Sequence, residues 1–68
     1  MKLYRFLTGP DDSSFCHKVT AALNRGWLLH NGPTYAYDEK SGVMRCGQAI
    51  YKEVPGKDYD PEMKLSEL

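Results

Sequence analysis

Residues Ser13 to Trp27, SSFCHKVTAALNRGW, read as one amphipathic helix with its own start and stop signals, and this feature does most to limit what the chain can fold into. At about 100° per residue from Phe15, the side chains of Val19, Leu23, Cys16 and Ala22 fall within an arc of about 120°. His17, Lys18, Thr20, Asn24 and Arg25 fill the rest of the wheel. Asp12 or Ser13 can cap the first turn, and Gly26 stands where a left-handed residue ends a helix. The wheel predicts a buried stripe of Phe15, Val19 and Leu23, with His17, Asn24 and Arg25 in solvent.

The helix lies between segments with strand periodicity. Lys2 to Thr8 alternates Leu3, Arg5 and Leu7 against Tyr4, Phe6 and Thr8. Trp27 to His30 reads as strand, Asn31-Gly32-Pro33 interrupts it, and Thr34 to Tyr37 resumes it. Asp38 to Gly42 is turn chemistry, and Val43 to Val54 is the longest proline-free β-like segment. Pro55-Gly56 closes that segment, and Asp60-Pro61 can start a last helical turn or two.

Proline ranks the strands. Pro33 cannot donate to a ladder, which sends the second strand to an edge or to a bulge. The third strand has no such defect and can be central. The helix returns the chain so that strands one and two run parallel by a right-handed crossover, and a short turn makes strands two and three antiparallel neighbours. The expected fold is α+β, a split β-α-β unit. Its three-stranded mixed sheet has the order 1-3-2, with one helix on one face and a short C-terminal helical turn. Residues 1–54 form the domain and 55–68 a tail.

Length limits the core. A 68-residue chain buries only about 60 % of its unfolded surface, so folding is marginal without a staple or a partner. The two cysteines allow one bridge at most. The opening MKLYRFLTG lacks the apolar run of a signal peptide, so cytoplasmic residence with reduced thiols is expected. No stretch approaches the roughly 20 apolar residues of a membrane span, and no membrane association is expected. Nine basic residues balance nine acidic ones, and the basic ones are scattered singly rather than gathered for phosphate backbones. Nucleic acid is not an expected partner.

The run LYRFLTGPDDSSFCHKVTAALNRGWLLHNGPTYAY, followed by CGQAIYKEV, resembles a family of short bacterial proteins known as a domain of unknown function (number 1737). Several features carry the resemblance: the tyrosine-containing first strand ending in Thr8-Gly9, the helix closing in Asn24, Gly26 and Trp27, then Gly32-Pro33 and Gln48-Ala49. It spans roughly residues 2 to 54. The resemblance implies a small cytosolic α/β domain and brings no activity, cofactor or catalytic residue.

Candidate chemistry weighs little beside packing. Cys16, His17, His30 and Cys46 are four possible zinc ligands, but they lack the paired spacing that lets one turn present two donors. The simpler reading buries Cys16 and Cys46 as small hydrophobes. Cys16 and His17 point about 100° apart on a helix, which excludes a nucleophile pair there, while Cys46 with His30 stays open. Two aspartates before the helix repel an anion and complement the dipole themselves. No catalytic residue, cofactor or metal is assigned, and an enzyme is not expected.

The aromatics are the remaining set. Tyr4, Phe6, Tyr35, Tyr37 and Tyr51 form the candidate interaction surface, because one helix can cover only one face of a three-stranded sheet. Base stacking on these rings would need a basic surround and an aromatic-glycine strand motif that the sequence lacks. The expected function is a small protein-interaction module that pairs with itself as a homodimer. The alternative is a small-ligand or regulatory binding domain with an aromatic pocket. The tail, through Tyr59, Met63, Leu65 and Leu68, is the rival cover for the open face.

Overall fold

The two strands that contain proline occupy the edges of the sheet, and the proline-free strand is its centre. A computed structural model describes all 68 residues. It contains β1 (Lys2–Pro10), α1 (Ser13–Asn24), β2 (Leu28–Asp38), β3 (Val43–Glu53) and a 3-10 turn, Leu65–Glu67. The strand order is β1-β3-β2, and β3 runs antiparallel to both neighbours. β1 and β2 therefore run in the same direction on either side of it. This is the split β-α-β arrangement expected from the proline and helix positions. The sheet is antiparallel throughout rather than mixed, because β1 and β2 each pair only with β3.

Proline also leaves its mark within β2. His30 pairs with Ala49 and Thr34 with Gly47, so Asn31, Gly32 and Pro33 oppose the single residue Gln48. Asn31 adopts φ 60°, a left-handed conformation that asparagine tolerates better than most residues. The bulge turns backbone carbonyls out of the ladder, and the buried Gln48 answers them. Its Nε2 donates to the carbonyls of Asn31 (3.1 Å), His30 (3.4 Å) and Ala49 (2.9 Å).

α1 begins and ends on the expected chemistry. The Asp12 carboxylate accepts from the Ser14 backbone N–H at 2.8 Å and also from the Ser14 hydroxyl. These bonds stabilise its ionised form and lower its pKa. At the other end Gly26 has φ 96°, and its N–H donates to the Leu23 carbonyl at 3.1 Å. The Trp27 N–H then donates to the Ala22 carbonyl at 3.2 Å, which turns the indole back under the helix.

The core lies between α1 and one face of the sheet. It consists of Leu3, Leu7, Ala22, Trp27 and Ile50, with Ile50 0 % and Trp27 1 % exposed. Arg5 and Lys52 flank the indole at 5.5 and 5.9 Å from its centroid. The Trp27 Nε1–H is buried without an acceptor, a desolvation cost of about 1–3 kcal/mol that packing of the large ring offsets.

The helical phase differs from the wheel. Ala22 is the buried residue of α1 and Phe15 and Val19 are half-buried, whereas Leu23 is 39 % exposed and Cys16 is exposed. The sheet selects the narrow stripe through Phe15, Val19 and Ala22, which leaves Leu23 and Cys16 on its margin. Cys46 is half-buried, so neither cysteine is the fully buried hydrophobe expected.

The tail does not cover the second face. Met63, Leu65 and Leu68 pack against the helix-side core, and Lys52 Nζ donates to the Arg25 carbonyl on that side at 2.7 Å. Asp60-Pro61 forms a turn rather than a helix, with the Glu62 N–H bonded to the Asp60 carboxylate at 3.0 Å, and the 3-10 turn follows at Leu65. Pro61 fits the turn as well as a helical start, and the helix-side packing of Met63 and Leu65 draws the chain away from a continuous helix.

Candidate functional site

Alternation along each strand and register between strands decide which side chains share the uncovered face. Cross-strand partners project to the same side, so the face is a set of rows. Tyr4, Tyr51 and Leu28 form one row, Phe6, Ala49 and His30 the next, and Thr8, Gly47 and Thr34 the third. Pro10, Arg45 and Ala36 follow, then Val43 with Asp38 towards the hairpin end. Tyr4 and Phe6 stand on β1 and Tyr51 on the central strand, where Ala49 and Gly47 are small. Tyr4 is 59 % and Phe6 48 % exposed, and Leu28 and Tyr51 are exposed with them.

Gly47 makes this surface possible. A Cβ there would lie 2.5 Å from Phe6 Cζ and 2.5 Å from Thr34 Oγ1, so the ring and the hydroxyl converge over bare backbone. From the next row, His30 meets Tyr51 of the row beyond edge-to-face, with centroids 6.0 Å apart and an interplanar angle of 89°. Between them lies an open depression of 480 Å³ lined by Lys2, Leu3, Tyr4, His30 and Tyr51. The charges on the face balance. Lys2 sits opposite Glu53 at one end, and Arg45 and Asp38 lie towards the other. Glu53 also approaches the Met1 amine at 3.6 Å.

The five aromatics of the candidate surface divide between the two faces. Tyr4, Phe6 and Tyr51 share the open face, where Leu28 and His30 join them. Tyr35 pairs with Cys46 and Tyr37 with Met44 on the helix side, both exposed beyond the core. Leu28 was absent from the candidate set because its face follows from its register against Tyr51, and local sequence carries no sign of that register.

The helix-side end of the hairpin forms a smaller polar group. The Tyr35 hydroxyl donates to the Asp11 carboxylate, which raises the phenol pKa because ionisation would break that bond and oppose the nearby charge. Cys46 Sγ lies 3.9 Å from the same carboxylate. Desolvation, then the negative charge of Asp11, pushes the Cys46 thiol up. That is the opposite of what activates a nucleophile. The Cys46–His30 pair, left open by the sequence, is not assembled, because the two side chains occupy opposite faces of the sheet. No group of three His, Cys, Asp or Glu side chains is placed to hold a metal ion. No helix is long and apolar enough to cross a membrane.

A family model described as "Domain of unknown function (DUF1737)" matches residues 1–53, which end with β3. No curated protein and no solved structure matches the chain.

Proposed function

We propose that this chain, which belongs to the DUF1737 family, is a small protein-interaction module that forms a homodimer through its uncovered sheet face. The observation that carries the reading is the placement of the tail. Met63, Leu65 and Leu68 pack on the helix side, Tyr59 is exposed, and Tyr4, Phe6, Leu28 and Tyr51 stay exposed together on the other face. The largest apolar patch of a small protein often marks an interaction site. A second copy fits it for two reasons. The charged residues of the face are balanced in sign, so a two-fold rotation can set Lys2 or Arg45 of one copy against Glu53 or Asp38 of the other. The rings of Tyr4, Phe6 and Tyr51 also give a second copy flat aromatic surfaces to pack against.

Size sets the expected strength. Three strands of about ten residues, at about 3.3 Å per residue and 4.8 Å between strands, give a flat footprint of roughly 450 Å² per copy. Two copies then bury about 900 Å² before the protruding rings are counted, the low end for specific interfaces. A reversible dimer is therefore expected rather than an obligate one. Stacked sheets would lie about 10 Å apart. Desolvation and the charge of Asp11 push the Cys46 thiol up, which disfavours it as a nucleophile. Two free thiols fit a reducing, cytoplasmic setting.

Sedimentation equilibrium over a wide concentration range tests the reading, with Phe6→Ser and Tyr4→Ser as interface variants. Dimer mass at high concentration that reverts to monomer mass in the variants supports it. Monomer mass throughout would overturn it. The depression beside His30 and Tyr51 favours a second reading, a small aromatic ligand bound on the same face. In that case the chain stays monomeric and thermal shifts appear with aromatic compounds.

A further inference from the structure

A second concavity lies on the helix side, where β1, α1 and the tail meet. It has a volume of 290 Å³ and is lined by Arg5, Lys18, Ala21, Ala22, Arg25 and Ser66. Three of these six residues are cationic and none is acidic. Helix spacing produces the arrangement. Lys18, Ala22 and Arg25 fall at i, i+4 and i+7, one stripe of the helix, and the two alanines between long cations leave a floor without side-chain bulk.

The cations are partly held in place. The half-buried Arg5 guanidinium rests 5.5 Å from the Trp27 centroid. Lys18 Nζ donates to the Thr8 carbonyl at 2.7 Å, and an Arg25 guanidinium nitrogen donates to the Ser66 carbonyl at 3.3 Å. Each bond uses one donor, so the ammonium keeps two and the guanidinium four. The ion pair of the chain, between the Met1 amine and Glu53, lies elsewhere. Three cationic residues thus line one concavity whose lining holds no carboxylate, and a bound anion would offset their charge.

We propose that this concavity binds a small phosphomonoester, with the phosphate held between Arg5, Lys18 and Arg25. Guanidinium forks match the spacing of phosphate oxygens and lysine adds a point charge. Three positive charges exceed the roughly −1.5 to −2 carried by such a group at neutral pH. The volume lies at the small end for ligand pockets, which limits the organic part to a few carbons. Because Ser66 belongs to the tail, the ligand would also pin the 3-10 turn to the helix. The site shares no residue with the open face, so it stands or falls independently of dimerisation.

An NMR amide titration of the full chain with glycerol 3-phosphate tests this, with glycerol as the uncharged control. Saturable shifts are expected at Arg5, Lys18 to Arg25 and Ser66, and they should weaken as salt is raised. Lys18→Gln, at an exposed helical position that folding tolerates, should weaken binding about tenfold. Arg5→Lys keeps the charge but loses the fork, and should weaken it about threefold or more. Lys40→Gln, on the β2–β3 turn, should leave it unchanged. Linear, unsaturated shifts, equal shifts with glycerol, or an equal loss in Lys40→Gln and Lys18→Gln would each overturn the proposal.

Discussion

Gln48→Ala should be among the most damaging polar substitutions in this chain. The wild-type amide donates to three carbonyls at the β2 bulge from a nearly buried position. An NH2 group has two hydrogens, so the three contacts count as about two hydrogen bonds, worth about 2 kcal/mol net. Removing the one buried methylene beyond Cβ costs roughly another 0.8 kcal/mol. The expected loss is about 3 kcal/mol, to be set against a total stability of roughly 3–10 kcal/mol for a chain of this length. Urea titration followed by tryptophan fluorescence reads it directly, since Trp27 is the lone indole and lies in the core. His30 lies at one end of the bulge and also lines the open-face depression. The same variant should therefore shift the His30 and Tyr51 resonances even where the chain stays folded. Gln48→Glu gives a sign check. A carboxylate facing carbonyls has a raised folded pKa, so its penalty should appear as pH rises through the usual glutamate value and vanish in acid. A loss below about 0.5 kcal/mol for Gln48→Ala, the range of an ordinary surface change, would refute the claim that this side chain holds the bulge.

Other expectations are simpler to check. Leu23→Ala should cost less than about 1 kcal/mol, whereas Ile50→Ala, at the centre of the core, should cost about 2–5 kcal/mol in the same urea titration. Iodoacetamide should label exposed Cys16 well before Cys46, whose thiol is pushed up by desolvation and by Asp11; mass spectrometry of a time course would show the order. The lowered Asp12 pKa means that its cap is fully present above the usual aspartate value and is lost as pH falls through the folded value. Asp12→Asn keeps a capping oxygen without a proton to gain, so the urea midpoint should fall less steeply in acid than in wild type.

Local chemistry made the elements legible, and tertiary register decided what could not be read. Asp12, Gly26 and Pro33 act on their own backbone, so the helix ends, the β2 bulge and the edge position of β2 follow from single residues. The helical phase does not. The wheel weighs Leu23 equally with Val19, and the sheet beneath selects the stripe through Ala22. The faces of Tyr35 and Tyr37 depend on Leu28 pairing with Tyr51. Three bulge residues against one leave an even excess in β2, so those tyrosines keep the helix-side parity of Leu29. The cationic concavity was equally hidden, because Arg5 and Ser66 are brought to Lys18 and Arg25 only by packing of β1 and the tail.

The central position of the last strand has a consequence for how the chain is made. β1 and β2 touch the sheet only through β3, which is the last strand to leave the ribosome. Until residues 43–53 emerge, the first forty-two residues have strands without partners and an amphipathic helix without a floor. The β2–β3 hairpin can close at once across its turn, but docking β1 must close a loop from Tyr4 to Tyr51, which is slow for a chain this short. Assembly of the sheet therefore waits until β3 has emerged. A message truncated before β3 would yield an aggregation-prone fragment rather than a smaller domain.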